Sequence, residues 1–169
     1  LKTLTKGYRV VTIGSSAGGY MAVLAAIKLE ACYCLNFSGQ YKISDAFSNP
    51  YKDISGMLDY YTGEIFYFVP AYCKNDIEQY QLVENKKCVK RFLFNDDRHA
   101  STMLTGNMPY IVGNSADKLQ RLYTVYSGKK IGKIGFLFHT VPITQWMRLL
   151  YGEVKGYLIR LSGKHWNGI

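Results

Sequence analysis

Short runs of β-branched and aromatic residues alternate with longer helix-forming segments along the first 126 residues. The runs predict strands at 9–13, 31–37, 65–69 and 89–94, and the intervening segments predict helices at 17–29, 77–85 and 116–126 and a short helix at 51–61, after a proline. Strands that alternate with helices in this way are typical of parallel sheets covered by helices on both faces. We therefore expect an α/β fold with three αβα layers, a mostly parallel sheet and a buried first strand.

Beyond residue 126 the alternation of strand and helix segments weakens, and the chain becomes strongly basic. The net charge is +9, and residues 115–169 carry nine Lys and Arg against two Asp and Glu. Apolar residues recur at helical spacing over 145–161, which predicts a helix. We expect one α/β domain over 1–126 and a basic, helical C-terminal extension over 127–169.

The basic extension has two interpretations. A charged, solvated helix face needs no partner. Alternatively, Trp146, Leu149, Leu150, Tyr157 and Leu158 with nearby basic residues suit a helix on an anionic membrane surface. Nucleic acid is not expected as a partner, because no recognised binding motif is present. The start of the chain lacks the apolar region of a signal peptide, so we expect a cytoplasmic protein, with a peripheral membrane location as the alternative.

The four cysteines indicate free thiols. Cys32 and Cys34 lie two apart and would share one face of a strand, and no C-x-x-C pair occurs. Because no His follows a cysteine pair at ligand spacing, we expect no metal site and no cofactor.

The segment Gly14-Ser15-Ser16-Ala17-Gly18-Gly19 carries the strongest chemical signal. It matches G-x-S-x-G, in which a nucleophilic serine stands on a tight turn between a strand and a helix. Because Gly14 and Gly18 have no side chains, they would avoid clashes in this tight turn. The Ala17 amide would point at the negative charge that develops on the substrate oxygen. A phosphate loop is disfavoured, since neither G-K-[ST] nor G-x-G-x-x-G is present.

A serine nucleophile needs a base, and the base needs an orienting acid. His99 follows the strand at 89–94, and Asp76 follows the strand at 65–69, so both should lie at the carboxyl edge of the sheet. His139 falls within or at the edge of an apolar run, which favours a core or packing role, and His165 lies near the chain end. Asp45, which follows the second strand, is the more serious rival acid, and Asp96 and Asp97 are rivals that lie close to His99 in sequence.

The segments GSSAGGYMAVLAAIKL, CLNFSGQY, IFYFVPAYCKNDIEQYQLV and FLFNDDRHASTML resemble α/β-hydrolase-type proteins associated with bacterial surface-polysaccharide biosynthesis. The resemblance covers about residues 8–112. It implies that Ser16, Asp76 and His99 form a triad. The strands and the loop that precede the serine in that family, with its second oxyanion donor, have no counterpart here. Relative to that family, we expect the chain to be N-terminally incomplete.

The resemblance also implies that an ester or acyl group is cleaved or moved. We expect a serine esterase acting on a small-molecule or saccharide ester. An O-acyltransferase with the same triad is one alternative, and a non-catalytic module that binds a membrane or polyanion is the other.

Overall fold

Five parallel strands in sequential order, β1-β2-β3-β4-β5, form the centre of the computed structural model. The structure describes residues 2–44, 50–99 and 108–161. The strands are β1 Val11–Ser15, β2 Tyr33–Phe37, β3 Glu64–Pro70, β4 Val89–Phe94 and β5 Lys130–Ile131. The helices are α1 Lys2–Thr5, α2 Ala17–Leu29, α3 Lys74–Gln81, α4 Met108–Val112, α5 Ala116–Tyr126, α6 Lys133–Thr140 and α7 Trp146–Leu161, with 3₁₀ helices at Ser55–Tyr60 and Ile143–Gln145.

Two apolar cores lie on opposite faces of the sheet, as the alternation of side chains along each strand requires. On one face, the aromatic residues of β2, β3 and β4 pack with α5 and α6, and Phe136 of α6 contacts Phe92 and Phe94 edge-on. On the other face, α2 buries Val23 and Ala26 against Cys34 and Ile65. The three-layer α/β architecture expected from the sequence is therefore present.

The first strand is less buried than its sequence indicates. Val11 and Ile13 are 39% and 45% exposed, because β1 pairs only with β2 within the described part of the chain. A run of β-branched residues is typical of a strand with neighbours on both sides, and this run predicted a buried first strand. The exposure of Val11 and Ile13 shows that the prediction is wrong. The exposed edge ends at the serine motif.

The sheet continues past residue 126, where the sequence suggested a domain boundary. The two residues of β5 pair with Leu93 and Phe94 of β4, and α6 buries Phe136 and Leu137 in the core. Residues 130–140 therefore pack as part of the α/β unit, and α7 follows them. Among the described residues, no helix combines the length and the apolar character needed to cross a membrane.

Candidate active site

Ser16 occupies the sharp turn that joins β1 to α2. Its backbone torsion angles are φ 53° and ψ −125°, a region that residues other than glycine rarely adopt. The Ser16 amide donates a hydrogen bond to the carbonyl oxygen of Phe37 (2.9 Å), and the Gly19 amide donates to the carbonyl oxygen of Ser16 (2.9 Å). Ala17 is the first residue of α2, so its amide lies among those that a helix leaves without an intrahelical partner. The turn thus holds a hydroxyl beside a helix N-terminus.

The glycines of the motif have different structural roles. A Cβ on Gly14 would collide with the carbonyl oxygen of Gly18, so only glycine fits there. A Cβ on Gly19 would lie 2.5 Å from the Cα of Gly39, since α2 packs directly on the backbone after β2. A Cβ on Gly18 would meet nothing within 4 Å. The expectation that Gly18 avoids a clash is therefore wrong, whereas Gly14 and Gly19 are sterically required.

Three side chains that are far apart in sequence meet at the carboxyl edge of the sheet. The Ser16 hydroxyl lies 2.7 Å from Nε2 of His99, and Nδ1 of His99 lies 2.8 Å from Oδ1 of Asp76. Both distances are those of hydrogen bonds. The hydroxyl, the imidazole and the carboxylate thus form a continuous relay in the order that nucleophilic catalysis requires.

Asp76 lies in the first turn of α3, because the helix begins at Lys74, three residues before the start predicted at residue 77. Its side chain is 3% exposed, whereas that of His99 is 46% exposed. A carboxylate is favoured near a helix N-terminus. The relay therefore runs from a buried acid to a base that solvent and substrate can reach.

The loop that presents His99 is organised by Asp96. Its Oδ1 accepts hydrogen bonds from the amides of Asp97 (2.8 Å) and Arg98 (3.1 Å), and the Arg98 guanidinium bridges both carboxylate oxygens. Burial raises the pKa of Asp96, but the hydrogen bonds and charge of Arg98 outweigh it, and the net pKa is lowered. Both carboxylate oxygens of Asp96 therefore bond within its own loop. The carboxylate that bonds to His99 is that of Asp76. Asp97 is exposed, and Asp45 and His165 lie outside the described residues.

Gln79 joins α3 to the loop that follows β2. Its Oε1 accepts hydrogen bonds from the amides of Tyr41 (2.8 Å) and Lys42 (3.0 Å), and its Nε2 donates to the Lys42 carbonyl (3.1 Å). Asp76 and Gln79 lie one turn apart on α3, so this clamp fixes the helix that carries the acid. Asp76 and Gln79 thus have linked structural roles at a spacing of three residues.

A buried network of hydrogen bonds also holds the loop that follows β2. Asn36 accepts a hydrogen bond from the Gly39 amide (2.9 Å) and donates to the Tyr41 hydroxyl (3.2 Å), while the Tyr67 hydroxyl donates to the Gly39 carbonyl (3.0 Å). Burial raises the pKa of the Tyr67 hydroxyl, so this group stays protonated and can donate. Satisfied buried networks of this kind hold a backbone in one arrangement.

A pocket of about 240 Å³ opens beside the imidazole of His99. Its lining is polar and comprises Gln40, Asn75, Asp76, Glu78, Gln79 and His99. Gln40, Asn75, Glu78 and Gln79 were not predicted as site residues. Their positions could have indicated them, because they lie in the loop after β2 or in the helix after β3, at the carboxyl edge where ligands bind in open α/β sheets.

The remaining histidine and the cysteines lie in varied environments. His139 is exposed on α6, so the expected core role is wrong, and its ring packs on that of Tyr126 at the surface. All four cysteines are free, and Cys34 alone is fully buried, while Cys32 is exposed. Burial raises the pKa of the Cys73 thiol, and the charge of Asp76 acts in the same direction.

Comparison with known protein families gives no match, and comparison with curated proteins gives none. The chemistry of this site is therefore inferred from the contacts among Ser16, His99 and Asp76.

Proposed function

We propose that this chain is a serine hydrolase of the α/β-hydrolase type, with Ser16 as nucleophile, His99 as base and Asp76 as orienting acid. The observation that carries the proposal is the relay from the Ser16 hydroxyl through His99 to Asp76, with links of 2.7 and 2.8 Å. Its support is the strained turn at Ser16, since strain of this kind is retained where the surrounding structure imposes it, often at active sites.

The reaction begins with attack of the Ser16 oxygen on an ester carbonyl. Nε2 of His99 takes the hydroxyl proton as the oxygen–carbon bond forms, and the carbonyl oxygen becomes negative. Collapse of this intermediate breaks the bond to the alcohol, which receives the proton from Nε2. An acyl group remains on Ser16, and water or another hydroxyl then removes it by the same steps.

Asp76 and Ala17 have supporting roles in this scheme. Asp76 accepts a hydrogen bond from Nδ1, which leaves the lone pair of the neutral ring on Nε2, facing Ser16. The Ala17 amide would donate to the oxyanion, and the loss of one such donor costs on the order of 3 kcal/mol. Together these groups favour the transition state over the bound ester.

The pocket lining supports a polar substrate. Gln40, Asn75 and Glu78 offer amide and carboxylate groups that pair with hydroxyls, as the hydroxyl-rich part of an acylated saccharide would require. If water accepts the acyl group, the protein is an esterase. If a sugar hydroxyl accepts it, the protein is an O-acyltransferase with the same relay.

The triad assignment is tested by two matched carboxylate-to-amide variants. In Asp76→Asn the amide can donate to Nδ1 and so favours the wrong tautomer, and we expect kcat for a p-nitrophenyl ester to fall on the order of 10⁴-fold. Asp97→Asn removes the same charge from an exposed side chain two residues before His99, and it should retain activity within a few fold. Equal activity of Asp76→Asn and the parent would refute the assignment. Product analysis with and without an added sugar acceptor separates hydrolysis from transfer.

A second candidate function is peripheral binding to an anionic membrane through α7. Met147, Tyr151, Val154 and Leu158 are 58–80% exposed and recur at helical spacing, so they form one apolar stripe. Arg148 and Lys155 are exposed next to it. Trp146, expected in the interfacial face, instead anchors α7, because its indole donates to the Val141 carbonyl and packs on Phe138.

Membrane binding is tested by cosedimentation with vesicles that contain phosphatidylserine. We expect binding that weakens with salt and is lost in Tyr151→Asp, because a charge then interrupts the apolar stripe. Tyr60→Asp is the matched control, since Tyr60 is 89% exposed at a distant 3₁₀ helix. Equal binding of both variants and the parent would exclude α7 as the membrane contact.

A further inference from the structure

The thiol of Cys73 lies close to the carboxylate of Asp76 and the imidazole of His99, and all three groups can bind a metal ion. Cys73 immediately precedes α3, one turn before Asp76, and His99 reaches the same point from the loop after β4. One ligand atom from each of Cys73, Asp76 and His99 lies within 4.8 Å of the other two. The spacing of cysteines and histidines along the chain predicted no metal site, because Asp76 and His99 are 23 residues apart and meet only in the fold.

The Asp76 carboxylate has an unused oxygen at this point. Its Oδ1 bonds to His99, whereas its Oδ2 is buried and makes no hydrogen bond of full geometry within the described residues, although the Cys73 thiol lies close enough to interact with the carboxylate. Asp76 as a whole is 2% exposed. An unpaired buried carboxylate oxygen is costly, and a bound cation would satisfy it.

We propose that Cys73, Asp76 and His99 form a zinc site that competes with the relay. A thiolate, a carboxylate and an imidazole are the three ligand types that Zn²⁺ binds in proteins. Zinc–ligand bonds of about 2.0–2.3 Å in a tetrahedron place the ligand atoms roughly 3.5 Å apart. Because the three ligand atoms already lie within 4.8 Å of one another, side-chain rotations that bring them closer by about 1 Å would close the site around an ion. On binding, the Cys73 thiol releases its proton to solvent and the sulfur–zinc bond forms, with no change of oxidation state.

Zinc in this site would switch off the reaction, and this part rests on the proposed function. If Zn²⁺ binds Nδ1 of His99, the neutral ring carries its proton on Nε2 and cannot accept one from Ser16. If it binds Nε2, the ion itself blocks the base. Either mode also withdraws Asp76 from orienting the imidazole. The structure thus assigns Cys73 to reversible inhibition of the site by zinc, with no part in the chemistry.

Zinc binding is measured on the full chain by calorimetry with ZnCl₂, and thiolate ligation by the absorption of the Co²⁺ complex. We expect one Zn²⁺ per chain in the parent, in Ser16→Ala and in Cys32→Ala, whose thiol is exposed outside the site. In Cys73→Ala and Cys73→Ser the affinity should fall at least 10-fold, since loss of even an indirect contact to a metal ligand costs 10–100-fold. The Co²⁺ thiolate band should disappear in both. Unchanged zinc affinity in both Cys73 variants, or no binding by the parent, would overturn the site.

Activity assays separate the two proposals. Zinc should inhibit ester cleavage by the parent and by Cys32→Ala, and a chelator should restore it, while Cys73→Ala should need at least 10-fold more zinc. Zinc binding in Ser16→Ala together with inactivity of every form would retain the metal site and refute the hydrolase. Active enzyme that zinc inhibits equally with and without Cys73 would refute the inhibitory site and retain the hydrolase.

Discussion

The backbone at Ser16 is under strain, and replacement of the residue can reveal how much. Its φ of 53° and ψ of −125° fall in a region that glycine adopts freely and other residues do not. Ala and Gly both lack the hydroxyl, so both lose the contact with His99. A comparison of Ser16→Ala with Ser16→Gly therefore isolates the backbone from the side-chain interaction.

The expected difference follows from two opposing contributions. A non-glycine residue in such a region costs about 1–3 kcal/mol. Glycine loses about 0.5–1 kcal/mol more conformational entropy on folding than alanine. We expect Ser16→Gly to be more stable than Ser16→Ala by about 1 kcal/mol, the difference between the midpoints of these two ranges. For a chain of 169 residues that difference raises Tm by roughly 2–4 °C.

Thermal and urea denaturation of the two variants measure this difference. The same change at an ordinary helical position is the control, because Ala25→Gly within α2 should lose about 1 kcal/mol. The sign of the alanine-to-glycine effect should therefore reverse between positions 16 and 25. If Ser16→Ala is as stable as Ser16→Gly, the turn is not strained and the reasoning fails.

Three further predictions concern packing and charge near the site. Gly14→Ala should destroy the serine turn and lose activity, whereas Gly18→Ala should fold with a Tm equal to or above that of the parent, because the new methyl group meets no clash and alanine favours the helix, as circular dichroism would check. Burial raises the pKa of the Cys34 thiol to about 12, so a thiol reagent should modify it only after unfolding, whereas the exposed Cys32 reacts in the native protein. Because the folded pKa of Asp96 is lowered, its stabilisation is present above about pH 4 and is lost as the pH falls through the folded pKa. The stability gap between the parent and Asp96→Asn should accordingly narrow in urea titrations below pH 4.

Local sequence patterns were sufficient for the long regular elements. The boundaries of β4 at Val89–Phe94 and of α5 at Ala116–Tyr126 agree with the prediction, because both segments have strong periodicity or β-branched and aromatic character. The helix α6 was not predicted, since KIGFLFHT contains a glycine and aromatic residues that are weak helix formers. It forms where Phe136 and Leu137 pack into the core. The two residues of β5 carry too little pattern to predict.

The order of chemical groups along the chain made Ser16, Asp76 and His99 candidates for the relay, but it left Asp45, Asp96 and Asp97 as rival acids. Ser16, Asp76 and His99 each follow a parallel strand, and strands in one sheet bring their carboxyl ends to a common edge. The residues that position them could not be selected this way. The clamp of Gln79 and the loop contacts of Asp96 depend on how two loops fold back, which no local pattern specifies.

The central claim is that Ser16 is an activated nucleophile, and covalent labelling tests it most directly. A fluorophosphonate probe reacts with a serine only when a base withdraws its proton, so intact-mass spectrometry should find one adduct in the folded parent, located on the Ser16 peptide. Ser16→Ala should give no adduct, and His99→Gln should give far less than the parent. Equal labelling of the parent and Ser16→Ala, or an unlabelled parent that is fully folded, would contradict the account.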